Sequence, residues 1–339
     1  MDVLLGKKLT ELQEVAVSVG LQKFAGKQLA QWLYVQRVTS IDEMTNISLK
    51  GREALKANYT VGRHAPVREA VSVDGTRKYL FAVGEQFVES VYIPEEDRAT
   101  LCVSTQAGCK MGCKFCMTGT LGFHGHLSAA DILNQIFYFD DLSNIVFMGE
   151  GEPMDNIDNV LRSLEIMTAE YGCAWSPKRI TVSTVGIPAM KRFLEESECH
   201  LAVSMHNPFV SERAQIMPAE KMMSITQVVD LIKQYDWSHQ RRVSFEYICW
   251  AGQNDTPRHA KEIKRLLRGL NCRINLIRFH EGVEEIKPSS NTQIFKPSDE
   301  KQMEWFRDYL TENGITTTIR RSRGEDILAA CGMLVNSLQ

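Results

Sequence analysis

Three cysteines, Cys109, Cys113 and Cys116, stand in the run Gly108-Cys109-Lys110-Met111-Gly112-Cys113-Lys114-Phe115-Cys116, a C-x₃-C-x₂-C spacing. Three thiolates can hold three irons of a four-iron cluster, and the odd count leaves the fourth iron without a protein ligand. An electron-transfer cluster normally fills all four corners with cysteine, so an open iron points to a cluster that binds another molecule. Structural zinc is the bland alternative, but zinc takes four Cys or His ligands in recognisable pairs. His124 and His126 lie nearby, and neither makes a second C-x₂-C or an H-x₃-H pair.

The 339-residue chain carries nine cysteines, no run of eighteen apolar residues, and a start, Met1-Asp2-Val3-Leu4-Leu5, that is no secretory signal. Its thiols are therefore expected in a reducing cytoplasm, where they serve metals and redox chemistry, and no membrane association is expected. A net charge of −3 (39 basic, 42 acidic residues) does not advertise a polyanion binder. Local clusters are more suggestive. Lys261, Lys264, Arg265 and Arg268 are spaced for one helix face and read as solvated surface. Arg241-Arg242 form a second cluster, and Arg320, Arg321 and Arg323, closely preceding Cys331, are a candidate nucleic-acid contact.

The elements that must position these groups change period along the chain. Leu12, Val15, Ala16 and Val19, then Leu29, Trp32 and Leu33, recur at helical spacing, and Ser48 can cap a third helix. Residues 78–94 alternate as a hairpin. From Ala99 onward, strand-like runs at 101–104, 144–149, 179–184, 200–205, 243–249, 273–279 and 315–319 are mostly separated by helical patterns. Ser128 with Asp131 three residues on opens one of these helices. Repeated βα units predict an α/β fold with parallel strands in a partial or complete barrel. The expected organisation is a helical unit over 1–75, a β-hairpin extension over 76–98 and a β/α core over 99–339. Polar candidates recur where these strands end: the cysteine loop, Gly149-Glu150-Gly151-Glu152-Pro153, Ser183-Thr184, Ser204-Met205-His206 and His280. One shared site at the carboxyl rim is expected.

Two further cysteines narrow the reading. Cys102 stands in Arg98-Ala99-Thr100-Leu101-Cys102, and Cys331 in Gly324-Glu325-Asp326-Ile327-Leu328-Ala329-Ala330-Cys331. Together with Ile41-Asp42-Glu43-Met44-Thr45, Val88-Glu89-Ser90-Val91-Tyr92-Ile93-Pro94 and Ser176-Pro177-Lys178-Arg179-Ile180-Thr181, these landmarks resemble the RlmN/Cfr family of the radical SAM superfamily over nearly the full length. The triple-cysteine motif, with Phe115 before its third cysteine, resembles the superfamily signature. The resemblance implies a radical SAM β/α partial barrel, one [4Fe-4S] cluster on Cys109, Cys113 and Cys116, and S-adenosyl-L-methionine (SAM) at the open iron. It implies methylation of adenosine C2 in 23S rRNA and tRNA, with an external electron donor such as flavodoxin or ferredoxin.

In the mechanism implied by the family, Cys331 takes a methyl group from one SAM. A second SAM yields a 5′-deoxyadenosyl radical that abstracts hydrogen from this methyl. The carbon radical adds to adenine C2, Glu89 acts as general base, and Cys102 resolves the adduct through a Cys102–Cys331 disulfide. The family pattern points to Gly151, Glu152, Ser183, Ser204, Met205, His206 and His280 as SAM contacts. The helical unit, with Lys7, Lys8, Lys23, Lys27 and Arg37, is implied to help hold RNA. Without the resemblance, Glu89 reads as a solvent-facing strand residue, and Cys102 and Cys331 as small hydrophobes. Cys173, Cys199, Cys249 and Cys272 match no motif. Two departures stand out: Glu150 replaces the usual methionine of Gly-Met-Gly-Glu-Pro, and His280 the more common asparagine. The motifs do not separate the C2 enzymes from resistance-type adenine C8 methyltransferases. A radical SAM activase would need the cluster but has no use for Cys102 and Cys331.

Overall fold

The computed structural model describes residues 1–237, 242–280 and 295–334, so Arg241 of the basic pair lies outside the described residues. The chain opens with a short strand β1 (Asp2–Val3) and helices α1 (Leu9–Ser18), α2 (Ala25–Ala30) and α3 (Leu49–Asn58), and returns through β2 (Tyr59–Thr60) to pair with β1. A π-helical turn over Gln31–Val35 continues α2. Ser48 caps α3 as the sequence predicts, its hydroxyl accepting from the Gly51 N–H at 3.2 Å. Leu12, Leu29 and Leu33, all fully buried, form the inner face of this unit.

An antiparallel meander follows: β3 (Arg68–Val71), β4 (Arg77–Val83), β5 (Gln86–Glu95) and β6 (Arg98–Cys102). The expected hairpin is β4–β5. The structure adds β3, which sequence patterning missed because it is an edge strand with no buried residue. The meander is continuous with the main sheet. After a small hairpin of β7 (Gln106–Gly108) and β8 (Phe123–His126), the βα pattern runs α4 (Ala129–Phe137), β9 (Asn144–Phe147), α5 (Ile157–Thr168), β10 (Ile180–Thr184), α6 (Met190–Glu196), β11 (His200–Ser204), α7 (Val210–Ile216), α8 (Ile225–Ile232), β12 (Val243–Cys249), α9 (Pro257–Leu266), β13 (Arg273–Arg278), α10 (Glu300–Glu312) and β14 (Thr316–Ile319). Ser128 and Asp131 cap α4 reciprocally, at 3.2 and 2.9 Å.

Strands β6 and β9 to β14 pair in parallel in chain order, and the ten-stranded sheet ends on β14 at one edge and β3 at the other. Phe147 at the end of β9 and Ile277 on β13 line one cavity although three strands separate β9 from β13. The sheet is therefore curled into an open, partial barrel, as expected. The helical unit packs outside it on α4 and α5. Arg63 donates to the Phe137 carbonyl at 2.6 Å, the His64 N–H to Asn134 at 3.0 Å, and Arg162 pairs with Glu11.

One buried charge pins the carboxyl rim. Arg213, fully buried on α7, pairs with Glu220 and donates to the carbonyls of Met205 at 2.9 Å, Ser204 at 2.8 Å and Val185 at 2.6 Å. It ties the ends of β10 and β11 together. Removing one member of a buried pair leaves an uncompensated charge and costs about 3–5 kcal/mol. Arg213→Leu is expected to lose that much stability by urea denaturation with an unchanged slope. A loss under about 1 kcal/mol would remove Arg213 from this role.

Candidate active site

The cysteine loop starts from a close backbone approach. Gly108 has φ +69°, and a Cβ there would lie 2.0 Å from the Gly122 carbonyl oxygen, so only glycine permits the turn that delivers Cys109. The loop is then held by the Cys109 N–H on Gly122 O at 2.8 Å and the Cys116 N–H on Cys113 O at 3.2 Å. All three thiols line the cavity at the carboxyl rim. Burial pushes Cys109 up to about 12 and Cys113 well above its ordinary value, with the neighbouring cysteines adding to both; burial also raises Cys116. Three thiols so placed ionise together only around a cationic centre. A cubane takes cysteine thiolates on separate irons, and three thiols on one short loop are a donor set that fits that group.

The loop after β9 forms the next wall. Gly151, with φ +94°, lets the chain pass where a Cβ would lie 2.5 Å from Gln106. The Gln106 side chain accepts from the Glu152 N–H at 2.9 Å and donates to Asp155 at 2.7 Å. Glu152 is buried, and its carboxylate accepts from the N–H groups of Met154 at 3.1 Å and Val185 at 2.9 Å. Burial outweighs these donors and holds its carboxyl at about 7. Glu150 points inward. Only 1% exposed, it accepts from the Glu89 N–H at 2.7 Å and more weakly from the Gly108 N–H at 3.4 Å. The departure from the family pattern thus joins the strand of Glu89 to the start of the cysteine loop.

Ser183, Ser204 and His206 line the same cavity at the ends of β10 and β11. His206 has φ +54°, and burial, followed by the Arg213 charge, holds its imidazole down at about 3. Its Nδ1 accepts from the Ile248 N–H at 3.1 Å, so the neutral ring carries its proton on Nε2. Two expected SAM contacts fall elsewhere. The Met205 side chain is fully buried in the core. His280 sits on a second cavity beside Ser322, together with Arg98, Arg179, Arg278, Arg321 and Arg323.

Cys331 lines both cavities. The backbone brings it back from beyond β14: the Met117 N–H donates to Gly332 O at 2.8 Å and the Thr118 hydroxyl to Leu334 O at 3.0 Å. Cys331 is exposed, whereas burial, then the nearby Cys331, pushes the Cys102 thiol up to about 12. Arg320 stands beside both thiols. Cys331 is the largest influence raising its guanidinium, burial opposes it, and Glu246, at 3.3 Å, adds to the rise. This arginine, a candidate nucleic-acid contact in the sequence, lies within electrostatic reach of Cys331 and Cys102 and also lines the second cavity. Glu89 is 1% exposed and paired with Lys78 at 3.0 Å, not solvent-facing.

Sequence reading missed Lys78, Gln106 and Glu246. Glu246, an acid inside the apolar run Val243–Cys249, carried a signal; Lys78 had none beyond its place in a strand. The unequal burial of Cys102 and Cys331 has a direct readout. Brief iodoacetamide treatment of the native, cluster-free protein at pH 8 is expected to label Cys331 at least about tenfold faster than Cys102 by peptide mass spectrometry. Equal labelling would contradict the arrangement.

Comparison with known proteins bears on the same residues. Residues 3–61 match the ribosomal RNA large subunit methyltransferase N-terminal domain, and residues 103–267 the radical SAM superfamily. The chain is 58% identical to the probable dual-specificity RNA methyltransferase RlmN of Bacteroides thetaiotaomicron, over 99% of this chain and 96% of that protein. It is 38% identical to the dual-specificity RNA methyltransferase RlmN of Syntrophus aciditrophicus, covering 96% of this chain and 94% of the relative. A crystal structure of a radical SAM methyltransferase from Sphaerobacter thermophilus superposes with a TM-score of 0.90 at 34% identity, over 99% of this chain and all of the other. A cluster-type cysteine loop, a curled parallel sheet and likeness along the whole chain converge: the protein belongs to the RlmN family of radical SAM methyltransferases.

Proposed function

We propose that this protein methylates C2 of adenosine in 23S rRNA and tRNA, with Cys331 as the methyl carrier and Cys102 as the resolving thiol. The observation that carries the reading is the meeting of Cys331 and Arg320 on the wall of the cavity that holds the three motif cysteines, with the buried Cys102 thiol near enough to feel both. An activase that only generates a radical elsewhere has no use for that pair of thiols.

Cys109, Cys113 and Cys116 would hold the cluster, whose contribution is the single electron that starts radical chemistry on SAM; a flavodoxin- or ferredoxin-type donor would supply it. Gly151, Glu152, Ser183, Ser204 and His206 would position SAM. Cys331 sulfur attacks the SAM methyl, forming an S–C bond as the sulfonium bond breaks and the thiol proton leaves. Arg320 favours this step by facing the developing thiolate. Once that carbon, one hydrogen atom short of a methyl group, is joined to adenine C2, Glu89 takes the C2 proton and the odd electron left behind would pass back to the cluster. Cys102 then attacks Cys331 sulfur, the S–S bond forming as the sulfur–carbon bond breaks, and the proton given up by the Cys102 thiol completes the methyl group on the released base. The arginine-lined second cavity suits the phosphates around an adenosine turned out of its loop.

The test is nucleoside mass spectrometry of rRNA and tRNA fragments incubated anaerobically with reconstituted protein, SAM and reductant. The expected product is 2-methyladenosine, abolished by Cys331→Ala. Recovery of 8-methyladenosine alone would transfer the reading to the C8 enzymes, and absence of both would exclude adenosine methylation. A second expectation follows from Glu152, whose carboxyl is held at about 7. It is neutral below that value and ionised above it, and only the ionised form attracts the SAM amino group. SAM affinity of the reconstituted protein, measured calorimetrically, is therefore expected to fall roughly tenfold from pH 8 to pH 6 relative to Glu152→Gln. Parallel pH profiles for the two proteins would remove Glu152 from the binding site.

A further inference from the structure

Lys78 on β4 and Glu89 on β5 are 8% and 1% exposed, and the Lys78 ammonium lies 3.0 Å from a Glu89 carboxylate oxygen. The strand register places Leu80 opposite Glu89 and Lys78 opposite Val91, so the two charged side chains are diagonal neighbours on one face of the sheet. A buried ion pair gains little stability over a well-packed apolar pair. Tyr79, Leu80 and Phe81 beside Lys78 are apolar and buried, so packing alone does not call for a charge here.

The same ammonium reaches the Leu328 carbonyl at 3.5 Å. Leu328 is three residues before Cys331 and sits in the left-handed region at φ +54°, a conformation a branched side chain adopts only when its surroundings impose it. The segment has other moorings on the turn between β3 and β4. Asp326 accepts from the Ser72 hydroxyl and from the Val73 N–H at 3.1 Å, and the Gly324 N–H donates to Asp74 at 3.1 Å. Those bonds fix the segment but touch neither reactive group. Lys78 alone among these contacts engages both Glu89 and the strand of chain that leads to Cys331.

We propose that Lys78 is a positioning residue that couples the proton acceptor Glu89 to the Cys331 segment, so that base and methyl carrier face the same substrate carbon. This rests on the roles given above to Glu89 and Cys331. Lys78 supplies the counter-charge against which Glu89 is buried, and its second contact sets the distance between Glu89 and the segment. Its loss leaves Cys331 able to take a methyl group and the carbon able to join adenine. It impairs the next step, removal of the C2 proton.

The test uses reconstituted full-length protein with SAM, reductant and an RNA fragment, comparing wild type, Lys78→Met, Lys78→Arg and Glu89→Gln. For Lys78→Met, kcat is expected to fall roughly 100-fold, the loss typical of a misplaced catalytic group, with KM for RNA within about threefold. Cys331 methylation should proceed as in wild type. A covalent RNA–Cys331 adduct should accumulate on denaturing gels, as in Glu89→Gln, and Lys78→Arg should recover at least about a tenth of the activity. Turnover of Lys78→Met within about threefold of wild type overturns the proposal. So does a loss that extends to Cys331 methylation, or one without adduct in both Lys78 variants, since a merely structural role predicts either. Wild-type protein that makes no methylated adenosine, or a Glu89→Gln variant with full turnover, instead sinks the assignment of the site on which the proposal rests.

Discussion

Parallel hydrogen bonding across β6 and β9 to β14 obliges every crossover to return on the outside of the sheet, so each strand hands its next residue to the same rim. The cysteine loop, the Gly151-Glu152 turn and the residues at the ends of β10 and β11 meet there because register leaves them nowhere else to go. Curling turns that rim into a cavity by bringing the ends of β9 and β13 to face each other. Arg213 reinforces the rim by donating to three carbonyls at and just past the ends of β10 and β11. An orphaned buried carbonyl is costly, and a fully buried guanidinium satisfies several at once while its own charge is met by Glu220.

Cys331 reaches the cavity by a different route. Cys102 ends the first parallel strand, but Cys331 lies beyond the last one and no strand directs it inward. Two sets of hydrogen bonds do so, one from the cysteine loop through Met117 and Thr118, the other from the β3–β4 turn through Ser72, Val73 and Asp74. The meander that begins the sheet and the segment leading to Cys331 therefore hold each other, and the exposed residue is placed by the bonds its neighbours make.

Charge in this protein is used mostly for geometry. Lys8 pairs with Glu165, and Arg37 donates to the Phe139 carbonyl at 2.8 Å while lying over the Phe137 ring. Both help seat the helical unit on α4 and α5, and Lys7 is engaged by Asp2 at 2.7 Å. Of the basic residues in that unit considered for RNA, Lys23 and Lys27 remain exposed. On α9, Arg265 meets Glu262 and Lys264 meets Asn313, as a solvated face would. Arginines also gather at the second cavity, next to Cys331, where Arg278 and Arg323 are met by Glu300 and Asp74.

Much of this was legible before folding was considered. Cysteine spacing signalled a cluster with an open corner because ligand chemistry is written in local sequence, and the alternation of apolar runs and helical periods signalled parallel β/α units. Caps such as Ser48 and Ser128 were equally local. The edge strand β3 was silent, since a strand that buries nothing leaves no pattern. What only the tertiary structure decided were contacts between residues far apart in the chain: Arg320 against the thiols instead of solvent, Glu150 turned inward onto the backbone of Glu89, Met205 in the core, and His280 on a different cavity from His206. Sequence periodicity states which face of an element is buried, but not which charge will be found across it. That depends on the curl of the sheet and on the return path of residues 320–331, both set by packing summed over the whole chain.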